Sequence, residues 1–136
     1  LTVASSLVRS VLAVLVFGNT AGSKRLGRPG NRHVEQAVEF ISRNLENQID
    51  VSDIAAAAGI SVSRLMQLFR EHVGGPPKRY LTHQRMLRAC HYLDATDAPV
   101  SQIAELVGYP DPLHFSRAFR RVLGRPPRQY RNRQRA

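Results

Sequence analysis

Residues Gly108–Tyr130 read GYPDPLHFSRAFRRVLGRPPRQY, and Gly59–Tyr80 read GISVSRLMQLFREHVGGPPKRY. Both open on glycine, carry Phe-Arg in the middle and close on Gly-x-Pro-Pro-x-x-Tyr. The match continues on both sides. Val51-Ser52, Ile54-Ala55 and Gly59 correspond to Val100-Ser101, Ile103-Ala104 and Gly108, and Gln84-Arg85 corresponds to Gln134-Arg135. The second copy has one extra residue in its turn, around Pro110. Agreement in spacing and residue type at so many positions marks an internal duplication.

Periodicity and capping residues place helices on this frame. Val34, Val38, Ile41 and Leu45 recur at helical spacing and predict a first helix. Asp50 is placed to cap a second, with Asp53 near its positive end, Ile54, Ala55 and Ala58 inward, and Gly59 at its stop. Ser61 caps a third running to about His72, with Val62, Leu65, Leu68 and Phe69 inward, and Gly74 and Gly75 end it. Pro76 and Pro77 suit the first turn of a long fourth helix to about Ala95, with Leu81, Met86, Ala89, Cys90 and Leu93 as its apolar stripe. The pattern then restarts. Val100–Val107 is a fifth helix ended by Gly108, Asp111 and Pro112 open a sixth that stops at Gly124, and Pro126 and Pro127 start a seventh carrying Tyr130.

The fold class read from this pattern is all-α, with about seven helices: two helix-turn-helix units, about 50–75 and 99–125, joined by a linker helix over about 76–95. A helical hairpin can serve packing alone; two matching copies on a basic chain favour groove-binding units. The sequence at this point resembles the AraC/XylS-type bacterial transcription regulators. Ile103–Arg131, IAELVGYPDPLHFSRAFRRVLGRPPRQYR, carries that family's closing signature, and Asp53–Leu81, DIAAAAGISVSRLMQLFREHVGGPPKRYL, fits its first unit. The resemblance covers residues 34–131, about seven tenths of the chain. It implies sequence-specific binding of double-stranded DNA, two helix-turn-helix units on a long linker helix, and activation through RNA polymerase as the commoner mode. It also implies an effector or dimerisation domain, hence a homodimer, ahead of the DNA-binding part.

The third helix turns Ser63, Arg64, Gln67 and Arg70 outward, with Met66 at the margin. Arginine pairs bidentately with guanine, glutamine with adenine, and serine with either. Ser63, Arg64 and Gln67 are therefore the expected base readers, positions that the resemblance also implies, and Arg70 is expected on phosphate. The matching outward positions of the sixth helix are Leu113, His114, Arg117 and Arg120. Arg117 is the strongest candidate reader. Leu113 either meets a thymine methyl or covers the core; His114 either meets DNA or packs and caps locally. Arg120, Arg121, Arg128 and Arg131 are expected on phosphates, which position a protein without reading sequence. A linker helix of about 18 residues spans roughly 27 Å at 1.5 Å per residue. That length suits successive major grooves on one face and an asymmetric site of roughly 15–20 base pairs, two grooves one ~10 bp turn apart.

Composition agrees with a polyanionic partner. The 136 residues carry a formal net charge of +10. Residues 1–33 hold five bases and no acid, residues 34–98 seven bases and eight acids, and residues 99–136 eight bases and two acids. The apolar run within 1–17 reads as a helix left from a preceding domain, and 18–32 as a flexible basic linker to a DNA-binding domain over 33–136. A basic membrane-surface or structural helical protein is the alternative, supported only by that apolar start. The five histidines show no metal-ligand spacing with Cys90 or the carboxylates, and no phosphate loop or nucleophile elbow is present. The expectation is therefore a non-enzymatic cytoplasmic regulator without metal or cofactor and without membrane contact. Cys90, the one cysteine, excludes an internal disulfide and reads as a core residue.

Overall fold

A computed structural model of the chain describes residues 31–135. The described residues form seven helices and no strand. They are α1 (Arg32–Arg43), α2 (Val51–Ala58), α3 (Val62–His72), α4 (Pro77–Ala95), α5 (Val100–Leu106), α6 (Pro112–Leu123) and α7 (Pro127–Arg135). The apolar helix expected over 1–17 and the linker over 18–30 lie outside the described residues. Asn31 and Arg32, assigned to the linker by the sequence, are part of the helical domain: Arg32 opens α1, and Asn31 Oδ1 caps it by accepting from the Val34 N–H at 3.2 Å.

The chain divides into two units, with the boundary inside α4 between Leu81 and Thr82. In the N-terminal unit α1 packs on α2 and α3. Val34, Ala37 and Ile41 face inward from α1, Ile54, Ala55 and Ala58 from α2, and Leu65, Leu68 and Phe69 from α3. Leu45 is buried but lies beyond the helix end, because Asn44 stops α1: its N–H returns to the Ile41 carbonyl and its side-chain amide donates to the Phe40 carbonyl. Val62, expected inward, is 41% exposed. It is the first residue of α3, and the buried stripe begins one turn later, at Leu65.

The start of the described chain is tied to this unit through two histidines. His33 Nδ1 donates to the Ala58 carbonyl at 2.8 Å, capping the end of α2. The Asn31 amide donates to His72 Nε2 at 3.0 Å. The start of the described chain is thus pinned to the last turns of both helices of the motif.

The C-terminal unit has its own core of Met86, Ala89, Cys90 and Leu93 from α4, Ile103 and Ala104 from α5, Phe115, Ala118 and Phe119 from α6, and Tyr130 from α7. Cys90 is fully buried there, as expected for a core residue.

The duplication extends to the hydrogen bonds of the turns. Gly59, at φ 72° and ψ 28°, donates to the Ala56 carbonyl, and Ile60 donates to that of Ala55. Gly108, at φ 88°, donates to Glu105, and Tyr109 donates to Ala104. Both are Schellman turns, which need a left-handed residue that glycine supplies without strain. Two residues then lead from Gly59 to α3, and three lead from Gly108 to α6; Pro110 is the insertion.

Candidate nucleic-acid interface

Each recognition helix is fixed at its N-terminus by the preceding turn. Ser61 Oγ accepts from the Arg64 N–H at 3.1 Å, and Asp111 Oδ1 accepts from the Leu113 N–H at 2.9 Å. The helix before α3 is fixed by more than the sequence suggested. Asp53 is half of a reciprocal capping box, since Asp50 and Asp53 each accept from the other's backbone N–H at 2.9 Å. The Asp-x-x-Asp spacing was the available signal.

Ser63, Arg64, Gln67 and Arg70 are all exposed on one side of α3, opposite the buried Leu65, Leu68 and Phe69, and Met66 is half-buried between them. Arg64 Nη1 donates to Gln67 Oε1 at 3.0 Å, and Gln67 Nε2 donates to Glu71 Oε1 at 3.3 Å. Glu71 is thus hydrogen-bonded to one of the expected readers, which sequence reading missed; its spacing of four residues from Gln67 was the available signal.

On α6, Leu113, His114, Arg117, Arg120 and Arg121 are exposed. Leu113 is 58% exposed, so covering the core is not its role. The His114 ring meets the Tyr109 ring edge-on at 5.2 Å and 79°. Packing therefore orients His114, and its side chain remains open to solvent.

Tyr109 sits at the base of α6. Its ring also meets Phe115 at 5.7 Å, and the Arg85 guanidinium lies over it at 5.7 Å from the centroid. Burial pushes the Tyr109 hydroxyl above its ordinary range, opposed by Arg85, by a hydrogen bond with Thr82 and by Arg121. Burial also lowers the pKa of the Arg85 guanidinium, and the Tyr109 hydroxyl acts in the opposite direction. Thr82 and Arg85 of α4 thereby hold the residue that orients the start of α6.

Arg128, at the start of α7, is exposed, as a phosphate contact requires. Arg131 is placed differently. Its Nε donates to the Leu93 carbonyl at 3.3 Å and its Nη2 to the Thr96 carbonyl at 3.2 Å. It caps the C-terminus of α4, where carbonyls lack helical partners and the helix dipole favours a cation. That capping role is one the sequence reading did not give it. Lys78 follows Pro76-Pro77 as Arg128 follows Pro126-Pro127, and it too is exposed.

The two units differ in charge. Residues 31–81 hold six bases and six acids, whereas residues 82–136 hold ten bases and four acids. Among the described residues, no group of three or more His, Cys, Asp and Glu side chains is arranged to hold a metal ion. No helix among them is long and apolar enough to cross a membrane.

Comparison with known proteins agrees with this geometry. A family model described as "Helix-turn-helix domain" matches residues 54–133. The lactose operon transcription activator of Staphylococcus xylosus is 38% identical over 102 residues, covering 75% of this chain and 37% of that protein. The arabinose operon regulatory protein of Escherichia coli K12 is 31% identical over 110 residues, covering 80% of this chain and 38% of that protein. The chain thus matches well under half the length of either regulator. A crystal structure of the DNA-binding domain of AdpA, in complex with a target DNA, superposes with a TM-score of 0.73 at 32% identity, covering 78% of this chain and 95% of that one. A duplicated, glycine-turned helix-turn-helix with this signature, matched over more than half its length, belongs to the AraC-type family of helix-turn-helix transcription regulators.

Proposed function

We propose that this chain binds double-stranded DNA sequence-specifically and regulates transcription there, as an activator, by reading successive major grooves with α3 and α6. The observation that carries the reading is the pair of outward faces. Each belongs to a capped helix set by the same Schellman turn, and each bears side chains able to pair with base edges. Ser63, Arg64 and Gln67 read from α3, and Leu113, His114 and Arg117 read from α6, with Leu113 offered to a thymine methyl. Arg70, Arg120, Arg121, Arg128 and Lys78 hold phosphates. The reading is of a non-enzymatic cytoplasmic protein that contacts RNA polymerase and dimerises through a part outside the described residues.

Selection of bound DNA from a random library, followed by footprinting, tests this. An asymmetric protected site of roughly 15–20 base pairs is expected, from two grooves one ~10 bp turn apart. Recovery of no enriched sequence would overturn the reading.

Arg128 and Arg131 give a paired prediction. Arg128→Ala should weaken binding to all sequences alike and reduce the slope of log K against log salt by about 1. Arg131→Ala should leave that slope in place and lower the melting temperature, because it uncaps α4. Equal salt slopes for wild type and Arg128→Ala would remove Arg128 from the interface.

A further inference from the structure

The outward face of α3 strings three exposed side chains together: Arg64 donates to Gln67, and Gln67 donates to Glu71. We propose that Glu71 is a positioning residue for sequence reading, which with Arg64 clamps the Gln67 amide in the orientation that matches adenine. The inference rests on the reading of Gln67 as a base contact.

A glutamine amide has two donor hydrogens and two acceptor lone pairs, and its terminal torsion is broad, so an unrestrained amide adopts either orientation. Here a cationic donor lies on one side and a carboxylate on the other. Turning the amide over would set its NH2 against the guanidinium and its carbonyl against the carboxylate, and both contacts repel. The clamp uses one hydrogen on Nε2 and one lone pair on Oε1. One donor and one acceptor remain. Adenine presents an acceptor at N7 and a donor at N6 in the major groove, so it needs that pair; guanine presents acceptors at both N7 and O6. The clamped amide therefore favours adenine, because Oε1 would meet guanine O6 lone pair to lone pair.

The duplication supplies an internal comparison. Arg64, Gln67 and Glu71 correspond to His114, Arg117 and Arg121. In α6 the reader is a guanidinium, whose groups all donate, so there is no amide orientation to choose. A carboxylate stands four residues beyond the amide reader and a cation four residues beyond the guanidinium reader. Glu71 is also the one acid in α3, a helix presented to a polyanion, where a carboxylate costs attraction. The clamp accounts for its presence there.

The test uses the full chain and its selected site, with all four bases substituted at the position whose preference Gln67→Ala erases. Wild type should favour adenine over guanine there. Glu71→Ala should lower that ratio by about three- to tenfold, as loss of part of one bidentate discrimination would. It should also strengthen binding to random DNA. Glu71→Gln, whose amide oxygen can accept the same bond, should keep the ratio while showing the same gain on random DNA. Gln67→Ala/Glu71→Ala should match Gln67→Ala alone. A purely structural role for Glu71 would lower affinity for all bases alike and leave the ratio intact. An unchanged ratio in Glu71→Ala, with Gln67→Ala erasing it, overturns the clamp and leaves base reading standing. A wild-type preference for another base at that position overturns the clamp as well. A Gln67→Ala variant with full base preference overturns the base-reading role of Gln67 and the clamp with it.

Discussion

Phe119→Ala is expected to destabilise the C-terminal unit by about 3–5 kcal/mol, the range for truncating a fully buried phenylalanine. Phe119 is wholly buried. Its ring meets Phe115 at 5.8 Å and Tyr130 at 5.5 Å, and Phe115 in turn meets Tyr109. The substitution therefore opens a cavity in the middle of a chain of four rings that joins the turn, α6 and α7. A unit of this size has little stability to spare, since small domains bury a smaller share of their surface. Chemical denaturation should show the loss, and hydrogen exchange should place it in α5, α6 and α7, with the amides of α1 to α3 keeping their protection. Equal loss of protection in α1 to α3 would show that the two cores unfold as one. DNA binding by α6 should fall in parallel, because Arg117 and Arg120 stand on the same helix as the lost ring.

The fold was legible wherever one residue decides a local geometry. Asp50, Ser61 and Asp111 cap the helices they were expected to cap, and Gly59, Gly74, Gly108 and Gly124 all adopt positive φ at the ends of helices or the turns beyond them. Those signals act over three or four residues, so the sequence displays them directly. What it hid depends on distance along the chain or on a helix end. Arg131 reaches carbonyls 35 and 38 residues back, and Asn31 reaches His72 across 41 residues. No periodicity encodes such contacts. Val62 has the right residue type and phase for the core, but it lies in the first turn of α3 and is exposed. The outward faces of α3 and α6 were legible because they are the complement of a clear apolar stripe. Their internal wiring was not. A helical wheel shows that Gln67 and Glu71 are neighbours, but only side-chain geometry shows which end of the amide faces which charge.

Arg117→Ala is the substitution expected to cost most in DNA recognition. Arg117 is exposed at the centre of the outward face of α6, between the capped N-terminus at Asp111 and the cations Arg120 and Arg121. A guanidinium there can donate twice to guanine O6 and N7, which discriminates against a wrong base by about 1–3 kcal/mol. On the selected site, affinity should fall about ten- to a hundredfold, at roughly 1.4 kcal/mol per factor of ten. On random DNA it should fall only as far as loss of any single phosphate-facing cation would take it. Arg117→Lys separates the two contributions: it keeps the charge but lacks the planar fork, so binding to random DNA should recover while base preference at that position stays weakened. Arg120→Ala, three residues on, should weaken all sequences alike. The C-terminal unit holds all of the excess positive charge of the described chain, so its reader works where phosphate attraction is already strong. If that unit served only as an electrostatic anchor, Arg117→Ala and Arg120→Ala would be indistinguishable in a competition assay against random DNA. A loss of base preference confined to Arg117→Ala would make α6 a reader as well as a holder.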